Sequence, residues 1–180
     1  MIVKTNRDRP EPPAVAAGAT RFAGDGGTGR ILVIEARFYD AIADELAAGA
    51  VAELEAAGVG YDRIAVPGAL EIPQVLAAAV ARGATSATAA DGGYVGAVAL
   101  GCVIRGETAH FDVVVGNANH WLMHTAITHA VPVGNGILTV DTMEQALARA
   151  RGGRDGKGGD AARACLALIA IAGCFEGRLR

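Results

Sequence analysis

From Arg30 onward, short β-rich apolar runs alternate with longer stretches whose apolar residues recur every three or four positions. The first run, Ile31-Leu32-Val33-Ile34, is apolar on both faces, as a central parallel strand is. Asp40 stands where it can cap a helix reaching about Ala57, with Ile42, Leu46, Val51 and Leu54 toward the core and Gly58 as its stop. A second strand over residues 61–66 leads through Pro67-Gly68 into a helix over 72–82, ended by Gly83. Residues 84–93, rich in Thr, Ser, Asp and Gly, read as a loop. A third strand over 94–100 precedes a long helix over 109–129, and a fourth strand over 131–140 precedes a helix over 142–151. Asp141 with Glu144 three residues later resembles a capping box for that helix. Residues 152–159 form a glycine-rich connector, and a last apolar helix covers 160–174.

Strands that alternate with helices imply right-handed crossovers, and so a three-layer αβα sandwich around a four-stranded parallel sheet. The pattern begins only at residue 30. Residues 1–29, rich in Pro, Gly, Ala and charge, hold too little apolar surface to offset the entropy of ordering them and are expected to form a flexible tail ahead of one domain, 30–180. Within that tail, Gly24-Asp25-Gly26-Gly27-Thr28-Gly29 matches a dinucleotide-binding fingerprint in letters only. It precedes the first strand, whereas the fingerprint must follow a strand and open a helix for its amides to meet a pyrophosphate.

Composition narrows the function classes. With 16 Lys+Arg against 19 Asp+Glu the chain carries a net charge of −3, the wrong sign for a nucleic-acid partner. The apolar runs end short of the roughly 18 residues a membrane span needs, and Pro10, Pro12 and Pro13 stand where a signal peptide would be apolar. Cys102, Cys165 and Cys174, an odd number without ligand spacing, fit reduced thiols in a cytoplasmic protein.

Ligands of such sheets bind beyond the carboxyl ends of the strands. There Phe38 is either a ring that stacks on a planar ligand or a packing residue covering the sheet end. Glu71, in a segment otherwise short of charge, suits ligand hydroxyls and equally the first turn of a helix. The segment Cys102-Val103-Ile104-Arg105-Gly106-Glu107-Thr108-Ala109-His110 sets a glycine, a hydroxyl and backbone N–H groups just before a long helix, an arrangement that binds phosphate. His110 falls in that helix's first turn, where it is either a structural histidine or one near enough to the anion to move protons at neutral pH. His120 and His124 are four apart but lack a third ligand, so no metal is expected. Lys157 fails as a Walker A lysine because Gly158 stands where Ser or Thr is required; Lys157 and Arg149 remain sources of positive charge for an anion.

The segments Glu35-Ala36-Arg37-Phe38-Tyr39, Val66-Pro67-Gly68-Ala69-Leu70-Glu71-Ile72-Pro73, Leu100 through Asp112, Gly134-Asn135-Gly136-Ile137-Leu138-Thr139, Glu144-Gln145-Ala146 and Gly156-Lys157-Gly158 together resemble the lumazine synthase family. Their order on the βα framework carries the resemblance, and Ile104-Arg105-Gly106 with Thr108 and His110 is its most specific element. The resemblance implies a flavodoxin-like fold and the condensation of 5-amino-6-ribitylaminouracil with 3,4-dihydroxy-2-butanone 4-phosphate, without cofactor. It implies that Phe38 stacks on the pyrimidine, that Ala69, Leu70 and Glu71 hold the ribityl chain, and that Val103 and Ile104 contact the ring. It further implies that Gly106, Glu107 and Thr108 cradle the phosphate, that Arg149 reaches it from a neighbouring subunit, that Lys157 lies near the pyrimidine, and that His110 transfers protons. Asn135 stands where many members carry an aromatic residue given across the subunit interface, while Cys102 and Ala109 replace common hydroxyl residues. The family forms pentamers with sites between subunits, some closed into 60-subunit shells, and the sequence does not choose between the two. A flavin- or lumazine-binding paralogue with little turnover is the competing reading: Asn135 and Ala109 speak for it, and His110, Thr108 and Arg149 together speak for the enzyme.

Overall fold

The computed structural model describes residues 29–85 and 93–176 of the 180-residue chain. The proposed tail, its glycine fingerprint up to Thr28 and most of the expected 84–93 loop lie outside the described residues. Strands β1 (Arg30–Ala36), β2 (Tyr61–Val66), β3 (Tyr94–Ile104) and β4 (Val133–Val140) form a parallel sheet in the order β2-β1-β3-β4. Between and after them run α1 (Asp40–Ala56), α2 (Ile72–Ala81), α3 (His110–Thr128), α4 (Met143–Ala150) and α5 (Lys157–Glu176). Ile31, Val33, Val98 and Leu100 pack with α1, α4 and α5 on one face of the sheet. Leu32, Ile34, Ala97 and Ala99 pack with α2 and α3 on the other. Strand residues of alternate parity therefore feed two separate cores, which is why the strands are apolar throughout.

Helix α1 buries Ile42, Leu46, Ala50 and Leu54, a strict four-residue stripe, and Val51 lies half-buried beside it rather than facing the core. Two expected boundaries move by three residues or more. β3 continues to Ile104 instead of ending at Leu100, because β4 stays in register with it through Gly101↔Ile137 to Ile104↔Val140 and supplies the ladder. α5 begins at Lys157 rather than residue 160. The glycines of its first turn act as close-packing residues: a Cβ on Gly158 would lie 1.9 Å from the Leu46 carbonyl oxygen of α1. The same cause explains Gly134, whose added Cβ would lie 1.9 Å from the Ala161 carbonyl oxygen of α5.

Cap chemistry differs in detail from the sequence reading. Tyr39, not Asp40, holds the N-cap position of α1, and Asp40 instead meets Arg37 at 3.2 Å. At α4 the cap is Thr142, whose hydroxyl accepts from the Gln145 N–H at 3.2 Å, while the Gln145 side chain accepts from the Asp141 N–H at 2.9 Å. By length and composition α5 could cross a membrane, against the sequence expectation, but it buries Ala161, Ala162 and Cys165 against the sheet and opens with Lys157, Asp160 and Arg163.

Candidate active site

All four strands run one way, so their carboxyl ends share one rim. The last ladder bonds mark it: Arg37 N–H donates to the Val66 carbonyl at 2.8 Å, and Arg105 N–H to the Val140 carbonyl at 2.9 Å. Connections leave β1 toward β2 on one side and reach β4 on the other, so the order of winding reverses between β1 and β3. In open parallel sheets ligands bind where the winding reverses, here between the ends of these two strands.

Three predicted segments meet along this rim. Beyond β2, Ala69–Glu71 forms a 3₁₀ turn with Ala69 buried and Leu70 and Glu71 half-buried. Glu71 folds back over the turn, so that a Cβ on Gly68 would lie 3.2 Å from its Oε2. Beyond β1, Phe38 is 54% exposed, its ring meeting the Tyr39 ring edge-on at 4.9 Å. Val103 and Ile104 are the half-buried last residues of β3, where a strand rather than a loop fixes their backbone.

Residues 105–110 are exposed. The N–H groups of Gly106, Glu107 and Thr108 donate to no backbone carbonyl among the described residues, and His110 is the first residue of α3. Free amides at the positive end of a 19-residue helix attract an anion. The Thr108 hydroxyl accepts from the His110 N–H at 3.4 Å, which ties the imidazole-bearing residue to the amide run. Arg105, which the sequence reading left without a role, lies 4.0 Å from the Phe111 ring centroid and pairs with Asp112 at 3.4 Å and Asp141 at 3.2 Å.

Other expected site residues are not gathered by one chain. Asn135 lies in the body of β4, level with Ala99, with its side chain on the α3 face: its Nδ2 donates to Asn119 Oδ1 at 2.7 Å and its Oδ1 accepts from the Ile137 N–H at 3.0 Å. The glycines on either side face α5, which accounts for the Gly-Asn-Gly pattern. Arg149 donates to the Gln145 carbonyl on its own helix, and Lys157 bonds Asp160 at 2.5 Å. Neither has a hydrogen bond to the rim among the described residues.

Glu35, to which the sequence assigns no role of its own, is 4% exposed at the end of β1. It accepts from Arg63 Nε and Nη2 at 3.0 and 2.9 Å and from Arg37 at 3.3 Å. Its signal was a lone carboxylate closing an apolar strand, with an arginine two residues into the next.

Burial pushes the Cys102 and Cys165 thiols up to about 12, which keeps both protonated and unreactive. Among the described residues no three His, Cys, Asp or Glu side chains gather as a metal site.

The family model for 6,7-dimethyl-8-ribityllumazine synthase matches residues 28–172. A protein of that name from Methylorubrum populi is 56% identical over 142 residues, 79% of this chain and 82% of its own. Another from Azorhizobium caulinodans is 55% identical over 150 residues, covering 83% and 90%. A third, from Methylobacterium radiotolerans, is 47% identical over 98% of both chains. With the rim geometry and these relatives together, the chain belongs to the 6,7-dimethyl-8-ribityllumazine synthase family.

Proposed function

We propose that the rim between β1 and β3 is where this enzyme of riboflavin biosynthesis condenses 5-amino-6-ribitylaminouracil with 3,4-dihydroxy-2-butanone 4-phosphate. The products are 6,7-dimethyl-8-ribityllumazine, inorganic phosphate and two molecules of water. The observation that carries the reading is the run of free N–H groups at Gly106, Glu107 and Thr108 with His110 directly behind it at the head of α3.

The amides and the Thr108 hydroxyl hold the phosphate of the ketose. Phe38 stacks on the pyrimidine, Val103 and Ile104 border the ring, and Ala69, Leu70 and Glu71 receive the ribityl chain. The substrate amine attacks the ketone and the carbinolamine loses one water to give the imine, the imine eliminates phosphate, and ring closure by the ribitylamino nitrogen on the remaining carbonyl expels a second water. The protein's part is to orient two reactive molecules, to stabilise the departing anion and to move protons through His110. None of these steps needs a cofactor.

Arg149, Lys157 and Asn135 act across a subunit boundary in this reading, since their own chain does not bring them to the rim. Assembly is accordingly a pentamer with sites between adjacent subunits, in the cytoplasm. Light scattering distinguishes five subunits from a shell of sixty. The function itself is tested by mixing the purified protein with both substrates: blue-fluorescent lumazine should appear with one phosphate released per product. Quenching of riboflavin fluorescence without turnover would favour the binding paralogue.

A further inference from the structure

Phe38 is poorly held by its own contacts. Its ring is more than half exposed and touches only the Tyr39 ring among the described aromatic side chains. The residues on either side of it are tied down instead. Arg37 donates its N–H to Val66, and its guanidinium meets Glu35 at 3.3 Å, Asp40 at 3.2 Å and Asp44 at 2.7 Å. Tyr39 packs its ring on the α1 core and gives its carbonyl to the N–H groups of Ile42 and Ala43 at 3.1 and 2.9 Å. Glu35 is the hub. Its buried carboxylate takes Arg37 from the β1–α1 turn and a two-point grip from Arg63 on β2, the strand that ends in the Pro67–Glu71 segment.

Replacing a buried ion pair by apolar side chains is often neutral or favourable for stability, so folding alone gives little reason for a charge at this strand end. The ion pairs do fix directions. The two-nitrogen fork of Arg63 and the single bond from Arg37 on one carboxylate set the angle between the β1 and β2 ends, and so the spacing between Phe38 and the Ala69–Glu71 turn.

We propose that Glu35, with Arg63 and Arg37, is a positioning clamp that sets Phe38 and the Ala69–Glu71 turn at the spacing one pyrimidine substrate requires. This rests on the reading of Phe38 as the stacking residue. Among the described residues the clamp has no hydrogen bond or ion pair to residues 106–110, so it governs affinity for the pyrimidine and leaves the ketose phosphate and the chemical step alone.

The test is steady-state kinetics of the full-length assembled enzyme, varying each substrate in turn. Glu35→Gln, which keeps shape and removes charge, should raise the pyrimidine KM about tenfold. The KM for the ketose phosphate and kcat should each stay within about twofold. Arg63→Gln, at a partly exposed position, should give the same split, and Arg63→Lys should recover most of the loss. If Glu35→Gln does not fold, the two Arg63 variants decide. Equal losses for both substrates, a fall in kcat alone, or no change overturns the clamp. Phe38→Ala in the same assay separates the two claims. An unchanged pyrimidine KM there removes the stacking role and the clamp with it, whereas a raised KM beside silent clamp variants removes only the clamp.

Discussion

The backbone of Gly158 at the head of α5 presses on the Leu46 carbonyl of α1, leaving no room for a side chain: a Cβ there would lie 1.9 Å from that oxygen. Backbone faces backbone, so no rotamer change relieves the clash. Gly158→Ala should therefore lower stability by about 1–3 kcal/mol, the usual cost of forcing extra volume into a packed interface. Urea unfolding of the variant should show a lower midpoint with an unchanged slope.

Thr108 offers the contrast of an exposed residue with no packing burden. Thr108→Ala should unfold at the same urea concentration as the parent. Its KM for the ketose phosphate should rise about tenfold, since a hydroxyl bonded to an anion is worth more than a neutral hydrogen bond. An unchanged KM would remove the hydroxyl from the phosphate cradle.

For His110 the expected loss falls on turnover. His110→Ala should reduce kcat by about 10²-fold, the lower end for one acid–base group, because the amine and the ketone already react with each other. Lumazine fluorescence followed under saturating substrates measures it directly. Full activity would show that His110 moves no proton in the slow step.

Acid should unfold this protein through Glu53. The hydrogen bond from Arg154, helped by the charges of Arg154 and Arg163, holds this carboxyl below its ordinary value of 4.5 against the opposing effect of burial. A depressed folded-state value means the stabilisation is complete above 4.5 and disappears as pH falls through the folded value. Asp62, held down first by its hydrogen bond from Arg30, adds a second such contribution below its ordinary 3.8. The melting temperature followed by circular dichroism should be flat near neutrality and fall below pH 4.5. In Glu53→Gln that fall should be shallower.

Thiol reactivity should divide the three cysteines. Cys102 and Cys165 are buried with values near 12, and Cys174 is exposed. Titration of the native protein with a chromogenic disulfide should give one fast equivalent, rising to three after denaturation.

The βα alternation was legible because each element carries its own period and its own stop. Glycine misled the reading wherever it reports a neighbour instead of a turn. Gly156, Gly158 and Gly159 look like a connector in one dimension, yet two of them open α5 because α1 and the Gly153–Asp155 turn lie against them. The end of β3 was hidden for a related reason, since Gly101 marks close approach to Ala36 and Ile72 within a strand that continues. Of the candidate site, the contiguous stretch from Val103 to His110 could be read along the chain. The Glu35–Arg63 pair could not, because its partners are 28 positions apart and meet only through the register that sets Val33 beside Arg63.

The single direction of the strands also fixes where the molecule can be handled. The chain enters β1 at Arg30, about 20 Å along the strand from the rim at Ala36. A reporter or affinity peptide fused ahead of Gly29 is thus joined at the opposite end of β1 from the rim, which makes the amino-terminal side the place to attach cargo or a surface anchor.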